Sequence, residues 1–143
     1  MVDETAWLDF FDTLQHRGFV PRRENALAFA RSTRVLLLRH TESNVPIDMV
    51  LAGPGLEALF LDRARNIEIF GLAIRVLAPE DLIASKLLAG REHDIQDIRA
   101  VIAHQPDLNI CQLHELLTMF ESALDRSDLH ATLNHILASL KQR

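Results

Sequence analysis

The sequence predicts an α+β fold, and three observations predict it. An amphipathic helix opens the chain, strand-like runs with two-residue alternation are confined to residues 1–78, and leucine stripes at helical spacing fill 79–143. At 143 residues the chain has the length of one domain with a sheet portion and a helical portion.

Taken in order, Trp7, Phe11 and Leu14 recur at i, i+4 and i+7, which predicts a helix over 2–17 with Asp3 as N-cap and Gly18 as stop. A short helix over 25–31 follows Pro21. Val35 to Arg39 is β-branched and leucine-rich and ends at the polar turn Thr41-Glu42-Ser43-Asn44, so it reads as a strand. Pro46 opens a second strand, in which Ile47, Met49 and Leu51 alternate with Asp48, Val50 and Ala52 until Gly53-Pro54-Gly55 breaks it. Asp48 then points away from the Ile47 face. After a short helix over 56–65, residues 67–70 and 73–77 predict a hairpin turning near Gly71, for about four strands in all. Pro79 suits the first position of a helix that stops at Gly90. Three more apolar stripes follow, in residues 95–102, 113–124 and 129–140.

Composition excludes several classes. Hydrophobic residues at 48% and charged residues at 24% are those of a globular protein, and the longest apolar runs are too short for a membrane span or a secretory signal. A cytoplasmic location is expected. One cysteine, Cys111, allows no internal disulfide and no cysteine zinc site; beside Ile110 and Leu113 it is expected to be buried and inert. The seven histidines show no metal-binding spacing, and there is no Walker loop, dinucleotide-binding turn or nucleophile elbow. The net charge of −5 is uneven, since Arg17, Arg22, Arg23, Arg31, Arg34 and Arg39 face one acid, Glu24. That segment is either a solvated face or a surface for a polyanion such as a nucleic acid or a triphosphate.

Two constellations could carry chemistry. An aspartate in mid-strand is costly to bury unpaired, so Asp48 either holds a hard cation such as Mg2+ or is exposed or paired with a nearby arginine. Lys86 lies among Leu82, Ile83, Leu87 and Leu88, so its ammonium snorkels to solvent or meets an anion. Asp94 and Asp97 share a helix face, where they could coordinate, orient Lys86 or pair with Arg91, or Asp94 could be a helix N-cap with Asp97 as its capping-box partner.

The strand IDMVLAG followed by a hairpin and then VLAPEDLIASKLLAGREHDIQDIRAVI resembles the rear two-thirds of the DNA polymerase beta-like nucleotidyltransferase superfamily, and within it the AbiEii-type bacterial toxins. The resemblance runs from about Val2 to Ile102 and implies a nucleotidyltransferase-like mixed sheet, truncated at its start. It implies that Asp48 is the third catalytic, metal-binding carboxylate, that Lys86 contacts the nucleotide phosphates, that Arg91 is a further nucleotide-binding residue, and that Asp94 and Asp97 belong to the same motif. The Gly-Ser motif and the Asp-x-Asp pair that open the family's domain do not occur in these residues, and Asp3 and Glu4 do not replace them. One carboxylate does not hold the two Mg2+ ions of the reaction. The expectation is therefore a catalytically incomplete piece whose full-length form transfers a nucleotidyl group from an NTP to an acceptor, with a non-catalytic binding remnant as the alternative. A sheet without its first strands exposes an edge, so a homodimer or a protein partner is expected to cover it.

Overall fold

The computed structural model describes residues 4–53 and 55–141, with side chains for 8–53 and 55–140. Asp3, the expected N-cap, and the side chain of Trp7 lie outside the described residues. The chain forms two compact units, Met1–Gly55 and Leu56–Arg143. The break falls at the Gly53-Pro54-Gly55 segment, so the hairpin belongs with the helices that follow it.

The first unit contains α1 (Glu4–His16), β1 (Phe19–Pro21), α2 (Ala26–Thr33), β2 (Val35–His40) and β3 (Pro46–Val50). Its three strands form an antiparallel sheet in the order β1-β2-β3, with Leu38 opposite both Pro21 and Ile47 and Leu37 opposite Asp48. Alternation divides the sheet as the sequence reading requires. Leu36 and Leu38 are buried with Ala26 and Ala30 of α2, and Phe11, Leu14, Phe19, Ile47 and Met49 pack against them. Asp48 and Val50 stand exposed on the other face. Arg34 ends α2 in the left-handed region (φ 61°), where its N–H returns to Ala30.

The second unit contains α3 (Leu56–Arg63), β4 (Arg65–Ile69), β5 (Leu72–Val76), α4 (Pro79–Ala89), α5 (Glu92–His104), α6 (Ile110–Leu124) and α7 (Leu129–Lys141). β4 and β5 pair only with each other among the described residues, with Ile67 opposite Ile74 and Ile69 opposite Leu72. Phe70 (φ 52°) and Gly71 (φ 78°) both take positive φ in the two-residue turn, the pattern whose twist matches a hairpin. Ile83, Leu87, Ile98, Leu113, Leu117, Leu129, Leu133 and Ile136 form one core across α4 to α7.

The α+β class, the N-terminal helix and the C-terminal helices are as the sequence indicates. The single mixed sheet of about four strands is corrected to five strands in two antiparallel sheets among the described residues. Three-residue β1 is too short to show a period, and β4 and β5 pair with each other rather than joining the first sheet. Cys111 is exposed rather than buried. The buried stripe of α6 is Leu113, Leu116, Leu117 and Phe120, and a residue two positions before Leu113 lies about 200° around the helix from it.

Candidate functional site

Helix α4 begins with Pro79 at its first position and ends at Gly90, whose left-handed conformation (φ 63°) lets its N–H return to the Lys86 carbonyl. Arg91 then serves as the N-cap residue of α5. This tight reversal brings the last turn of α4 against the first turn of α5. Lys86, Arg91, Asp94 and Asp97 meet there.

Asp94 is the centre of the group and is fully buried. Lys86 Nζ donates to Asp94 Oδ1 at 3.1 Å and to Asp97 Oδ2 at 2.6 Å. Arg91 Nε donates to Asp94 Oδ2 at 2.7 Å and Nη2 to Oδ1 at 3.3 Å, a two-pronged grip on one carboxylate. Asp94 therefore caps nothing; the capping alternative is corrected, because Arg91 holds the cap position and the Asp94 carboxylate turns to the two cations. The Arg91 hydrogen bond, helped by Lys86 and opposed by burial, pulls the Asp94 carboxyl down to about 2. The Asp97 hydrogen bond, with Asp94 behind it, holds the Lys86 ammonium above its usual range. Arg91 and Asp97 are more than half exposed, so the group opens to solvent on their side. Two cations and two carboxylates leave it with no net charge.

A second acidic pair, Glu80 and Asp81 of the Pro-Glu-Asp-Leu run, precedes this site, and the sequence marks the run without giving the pair a role. Glu80 is fully buried; its Oε2 accepts from Arg65 Nη2 at 2.9 Å and its Oε1 from the backbone N–H of Asn109 at 2.9 Å. Burial opposes ionisation, but those hydrogen bonds and the nearby Arg65 and Arg63 outweigh it and lower the Glu80 carboxyl. Asp81 is equally buried, with Arg63 Nη2 3.2 Å from Oδ1 and no aligned hydrogen bond to either oxygen among the described residues. Burial pushes its carboxyl up, and the Glu80 charge adds to the push against Arg63 and Arg65. The sequence signal was the Pro-Glu-Asp start of α4, but acids in a first turn are normally solvated there.

Asp48 belongs to the first unit and the Lys86 group to the second. Its carboxylate accepts from Arg22, which continues the line of β1 through a backbone hydrogen bond to Leu37. Among the described residues no three histidine, cysteine or acidic side chains are arranged to hold a metal ion. One exposed carboxylate already engaged by a guanidinium does not fit Mg2+ by itself. The arginine-rich segment is exposed, and part of it is occupied locally: Arg23 lies 4.3 Å over the Phe29 ring, and Arg34 donates to the Leu51 carbonyl from Nε at 3.0 Å and Nη2 at 2.6 Å. The Arg34 guanidinium also fills the space that a side chain at Gly53 would need. That clamp on the loop after β3 was missed from the sequence, where Gly53 reads only as a turn residue.

A family model described as "Nucleotidyltransferase of unknown function (DUF6036)" matches residues 33–137. The chain belongs to this DUF6036 family. The matched span includes Asp48, Lys86, Arg91, Asp94 and Asp97, while α1, β1 and Arg22 precede it. The description names the nucleotidyltransferase class and no toxin group. No curated protein matches this DUF6036 chain. None of its described helices is long and apolar enough to cross a membrane.

Proposed function

We propose that this DUF6036 chain supplies the phosphate-holding part of a nucleotidyltransferase, with Lys86 and Arg91 as the groups that contact the phosphates of an NTP. One observation carries the reading: buried Asp94 holds the two cations side by side at the solvent edge of the α4–α5 reversal. A carboxylate that remains ionised and inaccessible fixes both positive groups without competing from the front. Asp97 is the exposed partner of Lys86, so an incoming phosphate takes the place of Asp97 while Asp94 keeps its hold.

Transfer from the NTP to an acceptor hydroxyl would need a metal-binding set of carboxylates, to which Asp48 freed from Arg22 would contribute one. Mg2+ would then supply charge stabilisation at the α-phosphate; the residues described here do not hold it unaided. Membership of the DUF6036 family, whose model spans all five residues, supports this assignment. A second reading, nucleotide binding without transfer, is favoured by the Arg22–Asp48 pair, because it occupies the carboxylate that transfer would use. The six exposed arginines of residues 17–39 offer a nucleic-acid acceptor in the first reading and a bound polyanion in the second.

Titration calorimetry with ATP, in the presence and absence of Mg2+, tests the assignment. The expected result is binding that Lys86→Met abolishes and Asp97→Asn strengthens several-fold. Binding unchanged in both variants would remove Lys86 from the site. A transfer assay separates the two readings: activity in a longer chain carrying an Asp-x-Asp segment supports the first, and binding without turnover in that chain supports the second.

A further inference from the structure

The hairpin β4–β5 gathers five exposed large apolar residues of the second unit, Ile67, Ile69, Phe70, Leu72 and Ile74. In an antiparallel pair, residues opposite one another share a face, so Ile67 and Ile74 lie side by side and Ile69 and Leu72 form the next row. All four are exposed, Leu72 at 64%, and Phe70 at the tip of the turn is 101% exposed. The other face carries Asn66, Glu68, Ala73 and Arg75. The hairpin is thus amphipathic with its apolar side bare, and a two-stranded sheet without a covered face has marginal stability of its own.

Size and charge point to the occupant. A fully exposed phenylalanine presents about 200 Å2, and Leu72 with the three isoleucines brings the patch to on the order of 500 Å2. Two such patches laid together remove about 1,000 Å2 from water, the lower limit for a specific interface. The only charged residue in the two apolar rows and their continuation is Arg65, and its guanidinium is held by Glu80. Two copies of a chain with net charge −5 therefore meet here without placing like charges in contact. An apolar patch with no charge pattern of its own carries no charge that opposes its pairing with a second copy of itself, as a two-fold interface requires.

We propose that a second copy of this chain covers the hairpin, the two β4–β5 faces packing against one another in a weak symmetric dimer. Sedimentation equilibrium of the full chain tests this. The mass is expected to rise from 16.2 kDa toward twice that value as concentration increases through about 1–500 μM, the range suited to an interface at the lower size limit. Phe70→Ser combined with Leu72→Lys is expected to hold the mass at the monomer value without lowering the melting temperature, because both side chains stand in solvent in the single chain. A wild-type chain that stays monomeric to the highest concentration overturns the proposal, and so does a doubly substituted chain that dimerises like wild type. For a monomer, hydrogen exchange then distinguishes the other occupants: slow exchange of the 65–76 amides means the chain covers its own hairpin, and fast exchange leaves the face to a different protein.

Discussion

Asp81 and Asp94 occupy the same place in two consecutive helices, the third residue of α4 and of α5, and neither is exposed to solvent. Their carboxyls are nevertheless driven in opposite directions. Burial dominates at Asp81, where one guanidinium approaches without an aligned hydrogen bond, and the carboxyl rises above its usual range. At Asp94 the hydrogen bond from Arg91, joined by Lys86, overcomes burial and takes the carboxyl to about 2. Burial fixes the cost of a charge, whereas the number and alignment of donors decide whether the charged form survives it. The contrast also separates the roles: an aspartate held ionised can organise two cations, and one held toward neutrality contributes mainly volume and shape.

Substitution of Asp94 is expected to have the largest effect. Asp94→Ala leaves Lys86 and Arg91 without their shared partner, and thermal melting should show a fall on the order of 10 °C. Arg63→Ala acts on the other member by removing its nearest cation; chemical denaturation should show a loss of about 1–3 kcal/mol at pH 7 and a smaller loss once the pH has fallen far enough for Asp81 to take up a proton. Asp81→Asn should reverse the sign seen at Asp94, leaving stability at pH 7 unchanged or slightly raised. An equal loss in Asp81→Asn and Asp94→Asn would erase the distinction drawn between them.

The same contrast predicts opposite pH dependence. Because the folded-state carboxyl of Asp94 lies below its unfolded value, its contribution is complete above about pH 4 and disappears as pH falls toward 2. For Asp81 the folded value is the higher one, so stability increases as pH falls through it. Melting curves from pH 7 to 2 should therefore show the acid loss reduced in Asp94→Asn and the gain on mild acidification absent in Asp81→Asn. The smallest effect belongs to Arg22→Ala, which breaks an ion pair whose aspartate is 64% exposed; about 0–1 kcal/mol is expected by denaturant titration.

Much of the architecture was legible because it repeats at short range. The stripes of α4 to α7, Pro79 at a helix start, Gly90 at a helix end and the turn at Phe70-Gly71 each depend on neighbours within a few residues. The outward direction of Asp48 followed from the period of β3, whereas the meeting of Lys86 with Asp94 and Asp97 was one of several alternatives that their spacing allowed. Other features were not legible. β1 has three residues and includes a proline, so no period could announce it. Cys111 sits among apolar neighbours in the sequence but off the buried stripe. The burial of Glu80 depends on Arg65, 15 positions away, and on the N–H of Asn109, 29 positions away.

By itself, then, the sequence determined the helices, every strand except β1, their main apolar stripes, and the candidate set Lys86, Arg91, Asp94 and Asp97 around Gly90, because those arise from periodicity and local backbone preference. Only the tertiary structure decided which aspartate is held ionised, that Arg22 occupies Asp48, and that the hairpin keeps an apolar face in water. Those outcomes depend on which distant donors or side chains reach a given atom. A carboxylate's desolvation and its compensation are summed over space rather than along the chain.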